Sequence, residues 1–329
     1  MTGPLLIMAA AMFAGHDIVW AHLPKAIAGQ AAGISHGALL VAGGSSFDKP
    51  PWDGGVKYWS HDIYVYPPSE KHPRRFVLDR PLAYGCSVSW HDMLILAGGS
   101  DGKENFARVQ TLEWKDNQVA QHDLPPLPHG LSNCGAGLLE NTFYVFGGQE
   151  RPDSEHASAA LYSLNLSHPA EGWRVREPLP AEGRILPVFA SVGDALYLFS
   201  GAVLHPGGRR YLEDGWRYHS DSGWKKIADA PHPMVAAPSV VQGRTLWIFG
   251  GDDGRLASQI NVLKDEHPGF SKTVLAFQSE TQTWRTLGVL PVSLVTTAAC
   301  ALGGTVYLPG GEDRPGHRSS QILQWRLPE

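Results

Sequence analysis

The sequence predicts an all-β fold, a single six-bladed β-propeller whose last blade is closed by the N-terminal strand. A short apolar run that ends in a glycine pair, or in its remnant Ser200-Gly201, occurs six times. These runs recur about every 50 residues, a period typical of four-stranded propeller blades. A strand-like segment near the N-terminus supplies the element that the last repeat lacks. The six runs end at Gly44, Gly99, Gly148, Gly201, Gly251 and Gly311.

Each repeat contains the same four strand signals, in an order typical of kelch-type blades. A run of small residues comes first, as in Ala26 to Ser35, and suits the crowded centre of a ring. The glycine-pair strand follows, then an amphipathic strand such as Asp62 to Tyr66, then an outer strand that often contains Trp. We interpret the glycine pairs as structural, because glycine permits positive φ and close backbone approach where a strand ends near the axis.

The N-terminal strand is predicted from its likeness to the end of a repeat. Trp20 precedes Leu23-Pro24, just as Trp284 precedes Leu290-Pro291 in the fifth repeat. The sixth repeat reaches Leu327 without such a strand. We therefore expect the N-terminal strand to complete the sixth blade, which removes the open edge that the ring would otherwise have.

Composition indicates one domain, residues 16–329, because the blades of a repeat fold pack into one body. The 27 basic and 32 acidic residues give a net charge of -5, and the basic residues are scattered, so nucleic acid is not an expected partner. Cys86, Cys134 and Cys300 occupy matching places in three repeats, and we interpret them as buried thiols without a disulfide.

Residues 1–15 are expected to form a signal peptide. The run from Pro4 to Ala14 is apolar, has the length of a signal-peptide core and is too short to span a bilayer as a helix. No Lys or Arg precedes it. A periplasmic or secreted protein is therefore expected, with a cytoplasmic protein as the alternative, and no membrane-spanning segment is predicted elsewhere.

The loop after the sixth glycine pair has the clearest chemical signal. Glu312 follows the strand directly and Arg318 comes six residues later, with Pro315 and Gly316 forming a turn between them. In one pocket, the carboxylate would move a proton and the guanidinium would bind an anionic substrate. An exposed turn with an ordinary ion pair is the other interpretation. The 15 histidines show no zinc-ligand spacing, so no metal site is predicted.

Residues 311–318 resemble the Gly-Glu-x-x-Pro-Gly-x-Arg segment of the bacterial N-acetylneuraminate epimerases, the kelch-propeller mutarotases of sialic acid. Residues 28–35 and Ala83-Tyr84-Gly85 are also similar to that family, as is Gly183-Arg184 without the family's proline. The resemblance implies an isomerase of carbohydrate metabolism that interconverts the α and β anomers of N-acetylneuraminic acid or a related acidic sugar. In that family the Glu is the proposed proton acceptor, which corresponds to Glu312.

The order of these segments is rotated relative to the family. The Glu segment lies mid-chain in the epimerases and precedes the Ala-Gly-x-Ser blade, whereas here it follows all the other repeats. The chain thus resembles a cyclically permuted branch, and a ring of blades has no preferred first blade. Leu82 stands where the family has an Arg before Ala-Tyr-Gly, so the resemblance implies the reaction type more than the sugar.

Mutarotation needs a base for the anomeric hydroxyl and an acid for the ring oxygen. By this resemblance Glu312 is the base, and Tyr84 or His317 is the proton donor. Arg318 and Arg184 would bind the sugar's carboxylate, and aromatic side chains would cover its apolar edge. The expected site comprises Glu312 and Arg318 as catalytic residues and Arg184, Phe47, Trp52, Tyr84 and His317 as substrate-binding residues.

The expected partner is a small acidic sugar, with no metal or other cofactor, and a homodimer is left open. The alternative hypothesis is a non-catalytic kelch propeller that binds a glycan or a protein, because a propeller fold alone does not determine function.

Overall fold

The computed structural model describes residues 18–328, and nearly all of their regular elements are β-strands. Six antiparallel four-stranded sheets surround a common axis, which confirms the predicted six-bladed propeller. The signal peptide predicted for residues 1–15 lies outside the described residues.

The blades follow one another in chain order after an initial strand, β1 (Val19–His22). Blade 1 comprises β2 (Ala31–Ser35), β3 (Ala38–Ala42), an inserted hairpin of β4 (Ser45–Phe47) and β5 (Lys57–Trp59), then β6 (Asp62–Tyr66) and β7 (Arg74–Val77). Blade 2 comprises β8 (Cys86–Trp90), β9 (Met93–Ala97), β10 (Val109–Lys115) and β11 (Gln118–Leu124). Blade 3 comprises β12 (Gly135–Leu139), β13 (Thr142–Phe146), β14 (Leu161–Asn165) and β15 (Arg174–Val175).

Blade 4 comprises β16 (Val188–Val192), β17 (Ala195–Phe199), a hairpin of β18 (Ala202–His205) and β19 (Gly208–Tyr211), then β20 (Gly215–His219) and β21 (Gly223–Ile227). Blade 5 comprises β22 (Ser239–Gln242), β23 (Thr245–Phe249), β24 (Thr273–Gln278) and β25 (Thr283–Val289). Blade 6 comprises β26 (Cys300–Leu302), β27 (Thr305–Pro309), a hairpin of β28 (Glu312–Arg314) and β29 (His317–Arg318), then β30 (Gln321–Arg326).

Among residues 18–328, helical structure is confined to short turns in the loops. One α-helical turn, α1, spans Ile260–Leu263, and 3-10 turns lie at Pro51–Asp53, Pro169–Glu171, Ala257–Gln259 and Lys264–Glu266. Within residues 18–328, none of these helices has the length and apolar character needed to cross a membrane.

The strand β1 closes the ring by pairing antiparallel with β30. His22 lies opposite Gln321, and Val19 lies opposite Leu323. The sheet order is β26, β27, β30 and β1, so the first and last described strands share blade 6. This confirms the prediction for the N-terminal strand. The edge of β30 is thereby covered and does not need to be protected from pairing with another chain.

The glycine pairs hold neighbouring blades together. In blade 3, Gly147 has a φ of +68°, and a Cβ at this position would lie 2.7 Å from the carbonyl oxygen of Arg184 in blade 4. The N–H of Gly148 donates to the same oxygen at 2.9 Å. In the remnant pair, Ser200 adopts a φ of +58°, and its hydroxyl accepts a hydrogen bond from the N–H of Met234 in the next blade at 2.7 Å. A link between blades therefore accompanies the unusual backbone in both cases.

A closed ring of six backbone hydrogen bonds surrounds the axis where the inner strands begin. Each blade contributes one residue with positive φ, whose N–H donates to the carbonyl of its counterpart in the preceding blade at 2.7 to 3.0 Å. The six residues are Gly29, Tyr84, Asn133, Leu186, Ala236 and Thr296. Because side-chain-bearing residues seldom adopt positive φ, the packing of the blades must maintain this ring. The ring holds each of these residues at one rim of the central channel.

A channel of about 500 Å³ runs along the axis between the first strands of the six blades. All three cysteines line it as free thiols. Cys86 and Cys300 are buried as predicted, whereas Cys134 is only half-buried. The neighbouring Cys134 thiol and burial raise the pKa of Cys86, and burial raises the pKa of Cys300 to about 12.

The hydrophobic core lies between adjacent blades. Phe199 of blade 4 and Phe277 of blade 5 are both fully buried, with their ring centres 4.7 Å apart in an edge-to-face arrangement. Trp284 on the outer strand of blade 5 extends the same cluster, 4.8 Å from Phe199. Such contacts keep the blades in fixed relative positions, and they fix the loops that the blades carry.

Candidate active site

The loops that follow the glycine pairs meet at one mouth of the channel. The first residue after each glycine pair forms an antiparallel β-bridge within its own blade. Its partner is the residue just before that blade's member of the hydrogen-bonded ring. These six equivalent residues are Ser45, Ser100, Gln149, Ala202, Asp252 and Glu312. Two of them are acidic, Asp252 and Glu312, and they occupy the neighbouring blades 5 and 6. The fold therefore concentrates carboxylates on one side of this mouth.

The hairpin of β28 and β29 brings Glu312 and Arg318 together. The two residues are paired across the hairpin, and its turn contains Gly316 with a φ of +76°. The guanidinium of Arg318 contacts the carboxylate of Glu312, and only 6% of the Arg318 side chain and 14% of the Glu312 side chain are exposed. The second carboxylate oxygen, Oε2, accepts a hydrogen bond from the N–H of Gly316 at 3.2 Å. This is a buried pair, unlike the exposed turn that the spacing alone left open.

Tyr84, which belongs to the hydrogen-bonded ring, lies beside this pair. Its hydroxyl is 3.4 Å from Nη2 of Arg318 and 2.7 Å from Oγ of Ser45. Burial tends to raise the pKa of Tyr84, but the positive charges of Arg318 and Lys57 outweigh it and hold this pKa below its usual value of 10. Burial lowers the pKa of Arg318, although Tyr84 acts in the opposite direction. A phenol of this kind is a better proton donor than an ordinary tyrosine.

A hairpin from blade 1 adds an aromatic wall and a second cation. Strands β4 and β5 pair Phe47 with Lys57, and Trp59 lies two residues further along on the same face. Nζ of Lys57 is 4.4 Å from the ring centre of Tyr84, 5.2 Å from that of Trp59 and 5.9 Å from that of Phe47. Cζ of Arg318 is 5.2 Å from the same Phe47 ring. Within residues 18–328, Arg318 has a carboxylate at ion-pair distance, whereas Lys57 has none.

Lys57 and Ser45 were missed by the sequence reasoning. Their alternation with Phe47 and Trp59 is a hairpin signal that would have placed all four side chains on one face. The contact between that face and Tyr84 joins two blades, so local sequence does not reveal it.

Trp52 and His317 lie at the edge of the site. The indole N–H of Trp52 donates at 3.0 Å to Oδ2 of Asp265, which lies in the loop between β23 and β24, called the blade 5 loop below. The ring of Trp52 packs against the turn at Gly316. The imidazole of His317 is half-exposed and lies 2.8 Å from Oδ1 of Asp313. Successive residues of a strand point to opposite faces, so His317 points away from the Arg318 side of the hairpin. Of the two residues predicted as proton donors, Tyr84 therefore lies beside Arg318, whereas His317 points away from it.

Arg184 lies apart from these residues, in the interior of blade 4. Its side chain is completely buried, and its two terminal nitrogens bind the two oxygens of Asp214 at 2.6 and 3.0 Å. The hydrogen bonds and charge of Arg184 outweigh burial and hold the pKa of Asp214 below its usual range. This geometry does not support the expectation that Arg184 binds substrate, because the guanidinium of Arg184 already forms a bidentate ion pair inside the protein.

Among residues 18–328, no three His, Cys, Asp or Glu side chains are grouped so as to hold a metal ion. No protein-family model matches the chain.

Comparison with known sequences finds two kinds of relative. The N-acetylneuraminate epimerase of Haemophilus influenzae (strain 86-028NP) is 27% identical over 228 residues, which cover 62% of this chain and 59% of that protein. The N-acetylneuraminate epimerase of Escherichia coli O157:H7 is 29% identical over 123 residues, 32% of this chain and 33% of that protein. The kelch-like protein terF of Aspergillus terreus (strain NIH 2624 / FGSC A1156) is 25% identical over 261 residues, 74% of this chain and 50% of that protein.

This chain spans about three fifths of the length of the Haemophilus epimerase that it matches. At these identities the relationship is distant. The six-bladed propeller described above is thus a distant homologue of N-acetylneuraminate epimerases and of kelch proteins.

Proposed function

We propose that this propeller is a mutarotase that interconverts the α and β anomers of N-acetylneuraminic acid or a related acidic sugar. The observation that carries the proposal is the buried pair of Glu312 and Arg318 beside Tyr84 at the channel mouth. A surface that only binds a protein or a glycan has no need of a carboxylate base beside a phenol whose pKa is lowered. The distant homology to N-acetylneuraminate epimerases supports the same reaction.

In the proposed reaction, Glu312 removes the proton from the anomeric hydroxyl. Arg318 and the N–H of Gly316 each contact one carboxylate oxygen, and each oxygen keeps a further lone pair to accept that proton. As the anomeric carbonyl forms, the bond between the anomeric carbon and the ring oxygen breaks, and Tyr84 gives its proton to that oxygen. Rotation about the bond next to the carbonyl and closure by the reverse proton transfers give the other anomer.

The charges of the site suit an anionic substrate. Glu312 compensates Arg318, whereas the ammonium of Lys57 lies against aromatic rings without a carboxylate partner in the described chain. We propose that the sugar's carboxylate binds between these two cations, while Phe47 contacts the apolar edge of the sugar. In this arrangement Lys57, rather than Arg184, binds the sugar's carboxylate together with Arg318.

We also propose that the order of the blades is permuted relative to the epimerases. The pairing of β1 with β30 supports this, because a ring closed within one sheet keeps the same site wherever the chain enters it.

The test is proton NMR of the α anomer, freshly released by a sialidase and followed as it relaxes to the β anomer. Catalytic amounts of the protein are expected to accelerate the relaxation, and Glu312→Gln is expected to lose about 10²- to 10⁴-fold of that acceleration. The glutamine can still accept from Gly316, so the hairpin should keep its fold.

Asp313→Asn is the matched control, since Asp313 is the adjacent acid but pairs with His317 at the edge of the site. Equal losses in both variants would contradict the role of Glu312. If the wild-type protein leaves the relaxation of every acidic sugar at its spontaneous rate, the proposal fails and the non-catalytic kelch module is the remaining hypothesis.

A further inference from the structure

A second cavity, of about 330 Å³, lies beneath the blade 5 loop, one blade away from Glu312. Its wall comes from both ends of that loop, with Asp252, Asp253 and Arg255 at the start and residues 267–271 at the end. The loop is hydrogen-bonded to the hairpin of β28 and β29, because the N–H of Phe270 donates to the carbonyl of Asp313 at 3.0 Å. The cavity is therefore held in a fixed position beside the proposed site.

His267 provides a hydrogen-bond donor of defined position in this cavity. Its side chain is nearly buried, with 6% exposure, and its Nδ1 accepts a hydrogen bond from the N–H of Gly269 at 3.1 Å. Burial lowers the pKa of His267, as does Arg314, against the opposing effect of Asp252. A neutral imidazole that accepts at Nδ1 carries its proton on Nε2. Nε2 has no hydrogen-bond partner among the described residues, so this proton is free for a ligand.

Asp252 provides acceptors in the same cavity. Its Oδ1 accepts from the N–H of Gly254 at 2.9 Å, and its Oδ2 accepts from the hydroxyl of Tyr211 at 2.8 Å. Both oxygens are thereby fixed, and each keeps a lone pair for a further donor. Arg255 is paired with Asp253, and the charges of Asp252 and Arg314 act on His267 in opposite directions, so neither sign is in excess around the cavity. A neutral group that both donates and accepts hydrogen bonds is therefore favoured here.

Phe270 adds an apolar surface next to these polar groups. Its ring is half-buried and lies 5.7 Å from the ring of His267. A fixed donor, a fixed acceptor and an aromatic face together suit a carbon chain that carries several hydroxyl groups.

We infer that this cavity binds an exocyclic polyol chain of the sugar, with Nε2–H of His267 donating to one hydroxyl and Asp252 accepting from another. The inference rests on the proposed function and narrows its substrate class. The preferred substrates are sugar acids whose ring carries a chain of hydroxyl groups, rather than hexuronic acids, which have no such chain.

The test compares N-acetylneuraminic acid with its seven-carbon analogue, made by periodate cleavage and borohydride reduction of the side chain in a glycoside, from which the free sugar is then released. Both keep the carboxylate and the anomeric centre. Wild-type kcat/KM for mutarotation is expected to be at least about tenfold higher for the full-length sugar, mainly through KM, as for the loss of one buried hydrogen bond. His267→Gln and Asp252→Asn are expected to lose about tenfold on the full-length sugar and almost nothing on the short one.

His205→Gln is the matched control, because His205 is exposed in the neighbouring hairpin at the same mouth. Equal wild-type kcat/KM for the two sugars, or equal losses of the variants on both, would overturn the inference. Should His267→Gln fail to fold, Asp252→Asn carries the test, since asparagine can still accept from Tyr211.

Failure of the proposed function gives a different result, namely no acceleration of either sugar by the wild-type protein. Saturation-transfer NMR then measures binding alone. Transfer to the side-chain protons of the full-length sugar that disappears in His267→Gln would still support the cavity as a polyol site, and absence of that transfer in the wild type would overturn it.

Discussion

Arg184→Met is expected to destabilise the fold while leaving mutarotation intact. The guanidinium of Arg184 binds Asp214 through two hydrogen bonds and also donates to the carbonyl of Ser200 at 3.1 Å. Methionine keeps the length of the side chain but removes every donor, which leaves the Asp214 carboxylate with Trp216 as its hydrogen-bonding side chain. Removing one partner of a buried ion pair costs about 3 to 5 kcal/mol. At roughly 2 °C for each kcal/mol in a chain of this size, the melting temperature should fall by about 6 to 10 °C.

The pH dependence of this loss follows from the pKa of Asp214. Burial raises that pKa, but Arg184 outweighs burial and holds it below the usual value. In the wild type the carboxylate therefore stabilises the fold above the unfolded pKa, about 3.9, and this contribution is lost as the pH falls through the lower folded pKa. In Arg184→Met burial is no longer offset by Arg184, so the carboxylate is unfavourable at neutral pH and its protonation relieves the cost. The stability difference should therefore shrink as the pH falls from neutral through the unfolded pKa of about 3.9 towards the lower folded pKa of the wild type.

The assay is urea denaturation of both proteins at several pH values, together with the NMR relaxation rate at a temperature where both are folded. Arg210→Met is the matched control, since Arg210 forms an exposed pair with Glu182 in the same blade, and it should change stability by less than about 1 kcal/mol. A stable Arg184→Met protein that has lost its activity on acidic sugars would refute this reasoning and restore Arg184 as a substrate-binding residue.

Tyr84 should be the first tyrosine to ionise in an alkaline absorbance titration, because Arg318 and Lys57 lower its pKa. Tyr84→Phe should remove that first step, and Lys57→Met should move it to higher pH. An unchanged titration curve in these variants would contradict the assigned charges. Deleting residues 1–22 removes β1 and uncovers β30, so scattering and size-exclusion chromatography should show concentration-dependent aggregation. Cys300 should resist a thiol reagent at pH 8 because burial raises its pKa to about 12, and it should react on unfolding; rapid reaction of the native protein at this residue, located by mass spectrometry, would contradict its burial.

The arrangement of blades could be predicted because its signals are local. A glycine pair marks the end of a strand where positive φ and a close neighbour exclude a side chain, as at Gly147. A Trp strand before Leu-Pro marks the outer edge of a blade, which is why β1 could be assigned to blade 6. The meeting of Glu312 and Arg318 was predictable for the same reason, since a short Pro-Gly turn joins them within one hairpin.

The surroundings of individual side chains could not be predicted in this way. Arg184 precedes an inner strand, as the matching arginine of the resembled family does, yet it binds Asp214, 30 residues further along the chain. Lys57 gains its significance from Tyr84 in the next blade, and His267 from a cavity between the two ends of one long loop. None of these contacts has a fixed spacing in the sequence, because each depends on how two separate segments pack.

The sequence by itself determined that the chain forms a ring of six blades closed by its N-terminal strand, with a carboxylate and a guanidinium in one hairpin. Strand periodicity, glycine conformation and a tight turn act over a few residues, so the residue types record them directly. Only the tertiary structure decided that Arg184 is buried in an ion pair, that Lys57 faces Tyr84 and that His267 lines a cavity. Burial, charge and hydrogen-bond partners at the channel mouth come from loops of different blades, and only the closed ring brings those loops together.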